Sequence, residues 1–301
     1  MNQRTLQKKY SFEGKGLHTG KYAHMVVGPA PENTGIRFHR VDLGADAFVD
    51  AVAANVSSTA RSTTISKGKV SVGTIEHILS ALTGLGVDNA LIEIDSDEVP
   101  ILDGSARLYV EAMSPDGVVE QSEPRRWIEL PEEVVVSDRK TGAYIKLSPA
   151  EDLNYDVTIN FDSRVLGVQS VHWDSSVDYA TQVAPCRTFC FFHEIKNLLR
   201  FGLVKGGDIE NAIVIVEKPV SDRTLARMAK LLKQPEVTVS SSGYLSNLEL
   251  RFPDECGRHK LLDIMGDLRL VGGFLKARIT AYKPGHGINT KTARTIVEKS
   301  I

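Results

Sequence analysis

The 301-residue chain is 42% hydrophobic and 25% charged, with 38 acidic against 36 basic residues and a formal net charge of −2. That is the composition of an ordinary folded protein of about two domains, each able to bury a core. It excludes a global field that would recruit nucleic acid, and no stretch of about eighteen apolar residues proposes a transmembrane helix.

The N-terminal residues are polar and lack the apolar centre of a secretory signal. Three cysteines, Cys186, Cys190 and Cys256, are too few for a disulfide framework, so a reduced, cytoplasmic protein is expected. In chain order, residues 25–27, 36–38 and 47–52 are short, β-prone runs separated by Pro, Gly or Asn. From Thr74 the period changes. Ile75, Ile78, Leu79, Leu82 and Leu85 follow helical spacing, with Thr74 placed to cap the start and Gly84 and Gly86 to end it. Residues 89–94 alternate as a strand, and 105–113 read as a second helix.

The turn at 114–117 and the polar stretch 121–126 mark a domain boundary. It divides the chain into an N-terminal α+β domain, 1–122, and a C-terminal α+β domain, 123–301. Strands come first again, at 127–130, 134–136, 144–147 and 155–161. Helices at 191–200, 221–232 and 256–271 follow, with a strand at 212–216. A strand at 276–282 and a helix at 290–299 close the chain. Strands then helices, twice, predict two α+β domains of similar plan.

Several constellations bear on chemistry. In the 256–271 helix, His259, Asp263 and Asp267 are spaced by four and share one stripe. A His and an Asp at that spacing can grip one divalent metal, and a solvated polar face fits the pattern equally well. Glu76 and His77, at the start of the first helix, suit a metal ligand beside a base, or a polar first turn favoured by the helix dipole. His286 stands between Gly285 and Gly287, just after an apolar strand. It is expected on a loop with little to bury it, as a functional or an ordinary turn histidine. Thr188 fits an oxyanion donor or a strand threonine. The cysteines lack the paired spacing of a structural zinc site. Gly-Gly-Asp at 206–208 lacks the context of a nucleotide fingerprint, and no Gly-x-Ser-x-Gly is present.

Taken together, two histidines and one aspartate form a three-ligand set with a position left for water. A carboxylate beside one ligand supplies a base, and a further His with an Asp partner supplies a positionable acid. This is the minimum kit for metal-assisted hydrolysis of an amide.

Further stretches carry a resemblance. They include Gly16-Leu17-His18-Thr19-Gly20, Pro29-Ala30-Pro31, the run 72–79, Gly84-Leu85-Gly86-Val87-Asp88-Asn89, Pro100-Ile101-Leu102-Asp103-Gly104-Ser105-Ala106, Arg187-Thr188-Phe189, the run 258–267 and Pro284-Gly285-His286. In number, order and spacing they resemble the UDP-3-O-acyl-N-acetylglucosamine deacetylases, the zinc enzymes of bacterial lipid A synthesis, and they span both expected domains.

The resemblance implies that His77, His259 and Asp263 bind Zn2+, and Fe2+ suits the same ligands. It implies Glu76 as general base, His286 as the cation or acid near the leaving amine, Asp267 as the partner that keeps His286 charged, and Thr188 as an aid to the oxyanion. Lys260 would meet the diphosphate. Phe161 and Phe189 would line the nucleotide-sugar site, and Leu17, Phe191 and apolar residues between 180 and 212 an acyl passage. The implied fold has two similar domains, each a β-sheet with helices, with the helices packed between the two sheets. The implied partner is an acylated UDP-sugar, with no nucleic acid, and some relatives continue into a fused dehydratase domain. One departure is visible: the loop 57–63 has no cysteine, where some relatives carry one near the metal. Two other readings are a zinc amidohydrolase for another N-acetyl sugar and a non-catalytic zinc protein that binds a nucleotide sugar.

Overall fold

A computed structural model describes residues 1–195, 211–231 and 234–299. The β-prone runs of the first ninety-four residues supply one five-stranded sheet. In spatial order its strands are Tyr10–Lys15, Tyr22–Pro29, Ala90–Ile94, Ile36–Arg40 and Phe48–Asp50. Neighbours are antiparallel except Ile36–Arg40, which runs parallel to Ala90–Ile94. The two-residue period puts Met25, Val27, Phe38, Val49, Ile92 and Ile94 on the buried face.

A second, six-stranded sheet is built later in the chain. Val134–Asp138, Ala143–Pro149, Phe274–Tyr282, Asn154–Asn160 and Val168–Trp173 lie in that order, and Trp127–Glu129 pairs with the start of Phe274–Tyr282. Ile145, Leu147, Val157, Ile159, Ala277 and Ile279 turn inward.

The named helices of the described residues are α1 (Glu76–Gly84), α2 (Arg107–Met113), α3 (Tyr179–Gln182), α4 (Asp222–Leu231), α5 (Glu255–Leu268) and α6 (His286–Lys299). α1 packs along α5. On its other sides α5 meets α6 and the strands Asn154–Asn160 and Val168–Trp173. One continuous apolar core takes in α1, α5 and the inner faces of both sheets, so the class is α+β with helices between sheets. Close packing of α1 on α5 depends on Gly266, where an added Cβ would lie 2.0 Å from the Glu76 carbonyl oxygen. Among the described residues no helix is long and apolar enough to cross a membrane.

Several local expectations change. The polar stretch around 121–126 falls largely in a strand, Val118–Pro124, which pairs with Asn2–Leu6. Thr74 does not cap α1: the N-cap position is Ile75, without a side-chain hydrogen bond, and Thr74 Oγ1 donates to Glu98 instead. The 256–271 segment ends its α-helix at Leu268 and continues as a 3-10 turn, Arg269–Val271. The last helix begins at His286, not at 290. The 206–208 motif and half of the 191–200 helix lie outside the described residues, as does much of the 180–212 apolar region.

Candidate metal centre

Three helices converge on one buried cluster. α5 contributes His259, Asp263 and Asp267, α1 contributes Glu76 and His77, and α6 contributes His286 from its first residue. None of the six is more than 9% exposed. The solvated-face alternative for the α5 stripe is therefore wrong: the stripe faces α1 and α6, not water. The loop expected around His286 is likewise corrected. His286 opens a helix and is buried, because Asp267 and Glu76 reach it from the neighbouring helices.

His77 Nε2 lies 3.7 Å and His259 Nε2 3.4 Å from the same atom, Asp263 Oδ1. The two imidazoles stand edge to face with centroids 5.1 Å apart. One ligand atom from each of the three residues lies within 4.8 Å of the others, and among the described residues this is the one such group. The cysteines stay out of it as free, buried or half-buried thiols, and burial pushes Cys190 up to about 12.

The donor set fits a divalent cation. Asp263 is 1% exposed, and its Oδ1 accepts no hydrogen bond, a costly condition for a buried carboxylate oxygen unless a cation satisfies it. Burial brings His77 down to about 3 and also lowers His259, so both rings are neutral and offer a lone pair. His259 Nδ1 lies 3.0 Å from the Cys186 carbonyl, an acceptor that fixes the tautomer and directs Nε2 to the cluster. For Asp263, desolvation opposes ionisation, but the positive charges of Lys260, 2.7 Å away, and His286, 4.0 Å away, outweigh it and hold the carboxyl well below its usual range.

Beside this group, Glu76 Oε2 accepts the Thr63 backbone N–H at 3.0 Å, and Oε1 lies 3.9 Å from His286 Nε2. Burial, aided by Asp267 and Asp263, pushes the Glu76 carboxyl up to about 7. His286 Nδ1 lies 2.9 Å from Asp267 Oδ2. Burial alone would lower this imidazole, but Asp267 and Glu76 raise it to about 9. Asp267 also accepts from Asn289 Nδ2 at 2.9 Å and from Thr63 Oγ1 at 2.5 Å.

The expected substrate residues are partly gathered. Phe189 stands edge-on to His259, with centroids 6.3 Å apart, and Phe161 is 5.5 Å from Phe189 and 5.7 Å from Phe191. They form one aromatic wall whose outer member, Phe161, is 42% exposed. Lys260 Nζ lies 2.7 Å from Asp263 Oδ2 and 5.3 Å from the Phe189 ring centre. Thr188, half-buried beside Phe189, has its backbone fixed by Gly104 and Ile213. Leu17 is half-buried in the loop between Tyr10–Lys15 and Tyr22–Pro29. Thr63 and Asn289 escaped sequence reasoning. Asn289 is three residues beyond His286 and shares its helical face, a readable signal. Thr63 reaches Glu76 through a backbone N–H, which leaves no mark in sequence.

The family model described as LpxC: UDP-3-O-acyl N-acetylglycosamine deacetylase matches residues 3–232 and 222–298. The chain belongs to this deacetylase family. It is 44% identical over 294 residues to the bifunctional enzyme LpxC/FabZ of Porphyromonas gingivalis, covering 98% of this chain and 64% of that protein. It is 38% identical over 304 residues to the UDP-3-O-acyl-N-acetylglucosamine deacetylase of Saccharophagus degradans, with 99% and 91% covered. With the deacetylase of the same name from Trichormus variabilis it shares 36% identity over the whole of both chains. The chain thus spans 64% of the bifunctional relatives, corresponding to the deacetylase part of their names.

Proposed function

We propose that this chain hydrolyses the acetamide of UDP-3-O-acyl-N-acetylglucosamine, as a step of lipid A synthesis in the cytoplasm, with Zn2+ held by His77, His259 and Asp263. Fe2+ suits the same ligands. The observation that carries the reading is Asp263 Oδ1, a buried oxygen without a donor that faces the Nε2 atoms of two neutral histidines. Three protein ligands leave a coordination position open, as in catalytic rather than structural zinc sites. When bound, the metal supplies Lewis acidity toward the amide carbonyl and lowers the pKa of a water to about 7.

The remaining work falls to this chain's residues. Glu76 has one oxygen occupied by Thr63 and the other free to take the proton of the attacking water. His286, paired to Asp267 through Nδ1, carries a proton on Nε2 toward the amine that leaves. Asp267 cannot turn away, because Asn289 and Thr63 hold its two oxygens. Thr188 is assigned to the oxyanion, Lys260 to the diphosphate, and the Phe161, Phe189 and Phe191 wall with Leu17 to the sugar and acyl chain. Free cysteines, two buried and one half-buried, support a reducing compartment.

Acetate release from the acylated nucleotide sugar, set against short N-acetyl sugars, tests the substrate. Release from the short sugars alone would move the activity to another N-acetyl substrate, and binding without release would make the chain a non-catalytic binder. His259→Ala and Asp263→Ala should each lose the metal, and a full equivalent retained in either would remove that residue from the ligand set.

A further inference from the structure

We propose that Glu98 is a positioning residue that locks the 16–19 loop and the entry of α1 into one frame; the inference rests on the metal-dependent hydrolysis just described. Glu98 is 2% exposed. Its Oε1 accepts from the His18 backbone N–H at 2.9 Å and from Thr74 Oγ1 at 2.8 Å. Its Oε2 accepts from the Thr19 N–H at 2.8 Å and from Thr19 Oγ1 at 2.7 Å. All these donors are neutral, and they come from two separate parts of the chain.

On the loop side, a Cβ at position 16 would lie 2.3 Å from Glu98 Oε2, so only glycine lets the carboxylate nest there. This gives a physical reason for the first glycine of Gly16-Leu17-His18-Thr19-Gly20. The loop carries Leu17, the residue assigned above to the sugar and acyl chain.

On the helix side, Thr74 holds φ at 58°. That left-handed conformation is disfavoured for a β-branched residue and persists only where surroundings impose it. Its hydroxyl is anchored on Glu98. The residue before it is fixed by Gly73 N–H to the Asp97 carbonyl at 2.9 Å and by Val99 N–H to the Gly73 carbonyl at 3.1 Å. Glu76 follows two residues later and His77 three, so the dihedrals of Thr74 aim both into the site. One carboxylate therefore sets the place of the loop that carries Leu17 and the direction of the helix that carries base and ligand.

Glu98→Gln keeps the shape but turns one acceptor into a donor that faces N–H and O–H groups. Expected are kcat lowered about tenfold, KM raised about tenfold and metal held about tenfold more weakly, within the range that a misplacement of about 1 Å can produce. Amide exchange at His18 and Thr19 should quicken, a readout independent of turnover. Thr74→Gly adopts positive φ without help. The double variant Glu98→Gln/Thr74→Gly should regain kcat and metal retention to within about threefold of Thr74→Gly alone, with KM still raised. Wild-type kcat, KM and exchange in Glu98→Gln would overturn the proposal, as would a double variant that regains both parameters or neither. Should Glu98→Gln not fold, Thr74→Val reads the helix arm: lower kcat and weaker metal retention at unchanged KM, restored by Thr74→Ser. Wild-type kcat in Thr74→Val would be fatal. If the wild-type protein releases no acetate, the reaction is misassigned, while the exchange and metal readouts still decide the positioning role.

Discussion

Gly266→Ala adds one methyl group where α5 crosses the start of α1. The new Cβ would sit 2.0 Å from the Glu76 carbonyl oxygen, 2.8 Å from its carbon and 3.1 Å from its Cα. All three are backbone atoms, so no side chain can swing aside. The helices must part by about 1 Å before the nearest contact reaches a tolerable length. The movement carries Glu76 and His77 away from His286 and Asp263, which now lie 3.9 and 3.7 Å from them. A shift of about 1 Å in reacting groups lowers turnover by about 10²-fold. Stability changes less. Overpacking costs about 1–3 kcal/mol, and replacing a helical glycine returns up to about 1 kcal/mol. The melting temperature should fall by only several degrees. Acetate release, metal content and a thermal melt on one preparation separate the two effects. A kcat/KM within about twofold of wild type would refute the reasoning, since the α1–α5 contact would then not set the geometry.

Other outcomes follow from the same structure. Thr63→Val removes the hydroxyl bond to Asp267 and keeps the backbone bond to Glu76; kcat should fall about tenfold with KM unchanged, and Thr63→Ser should restore it. A chelator should lower the melting temperature of the wild-type protein and leave Asp263→Ala unmoved, because a ligand at about 1,000 times its Kd adds about 4 kcal/mol to the folded state; equal melts with and without chelator in the wild type would count against a bound metal. Asp103 is desolvated, which would raise its pKa, but Ser105, Arg251 and Arg107 hold its carboxyl below the usual range. Its contribution is therefore complete above about pH 4, the ordinary carboxylate value, and is lost as pH falls through the lower folded value. Asp103→Asn should flatten that acid limb of the stability curve, and an unchanged slope would contradict the assignment.

That His259 and Asp263 lie side by side was legible because α-helical spacing is rigid: residues at i and i+4 must share a face whatever surrounds them. Burial was not legible. A polar stripe reads as solvent-facing, and only the approach of α1 and α6 turned it inward. His286 was misplaced on a loop for the same reason, since Gly285 and Gly287 suggest a turn while the helix start depends on partners far away in sequence. The strand Asn2–Leu6 escaped notice because its buried face carries Gln3 and Thr5, satisfied by Asn33 and the Asn89 carbonyl, so the apolar alternation that marks strands is missing. Thr74 attracted a capping role from its position, but Glu98 offered its hydroxyl a buried carboxylate and took it.

The central claim is that Glu76 takes a proton during metal-dependent amide hydrolysis at the His77, His259, Asp263 centre. Its most direct test is acetate release from UDP-3-O-acyl-N-acetylglucosamine by Glu76→Ala, with metal equivalents determined in the same sample. Turnover should fall by about 10² or more while the metal remains bound, because Glu76 touches no ligand atom of Asp263 or the histidines by hydrogen bond. Turnover equal to that of the wild-type protein, at full metal occupancy, would contradict the account.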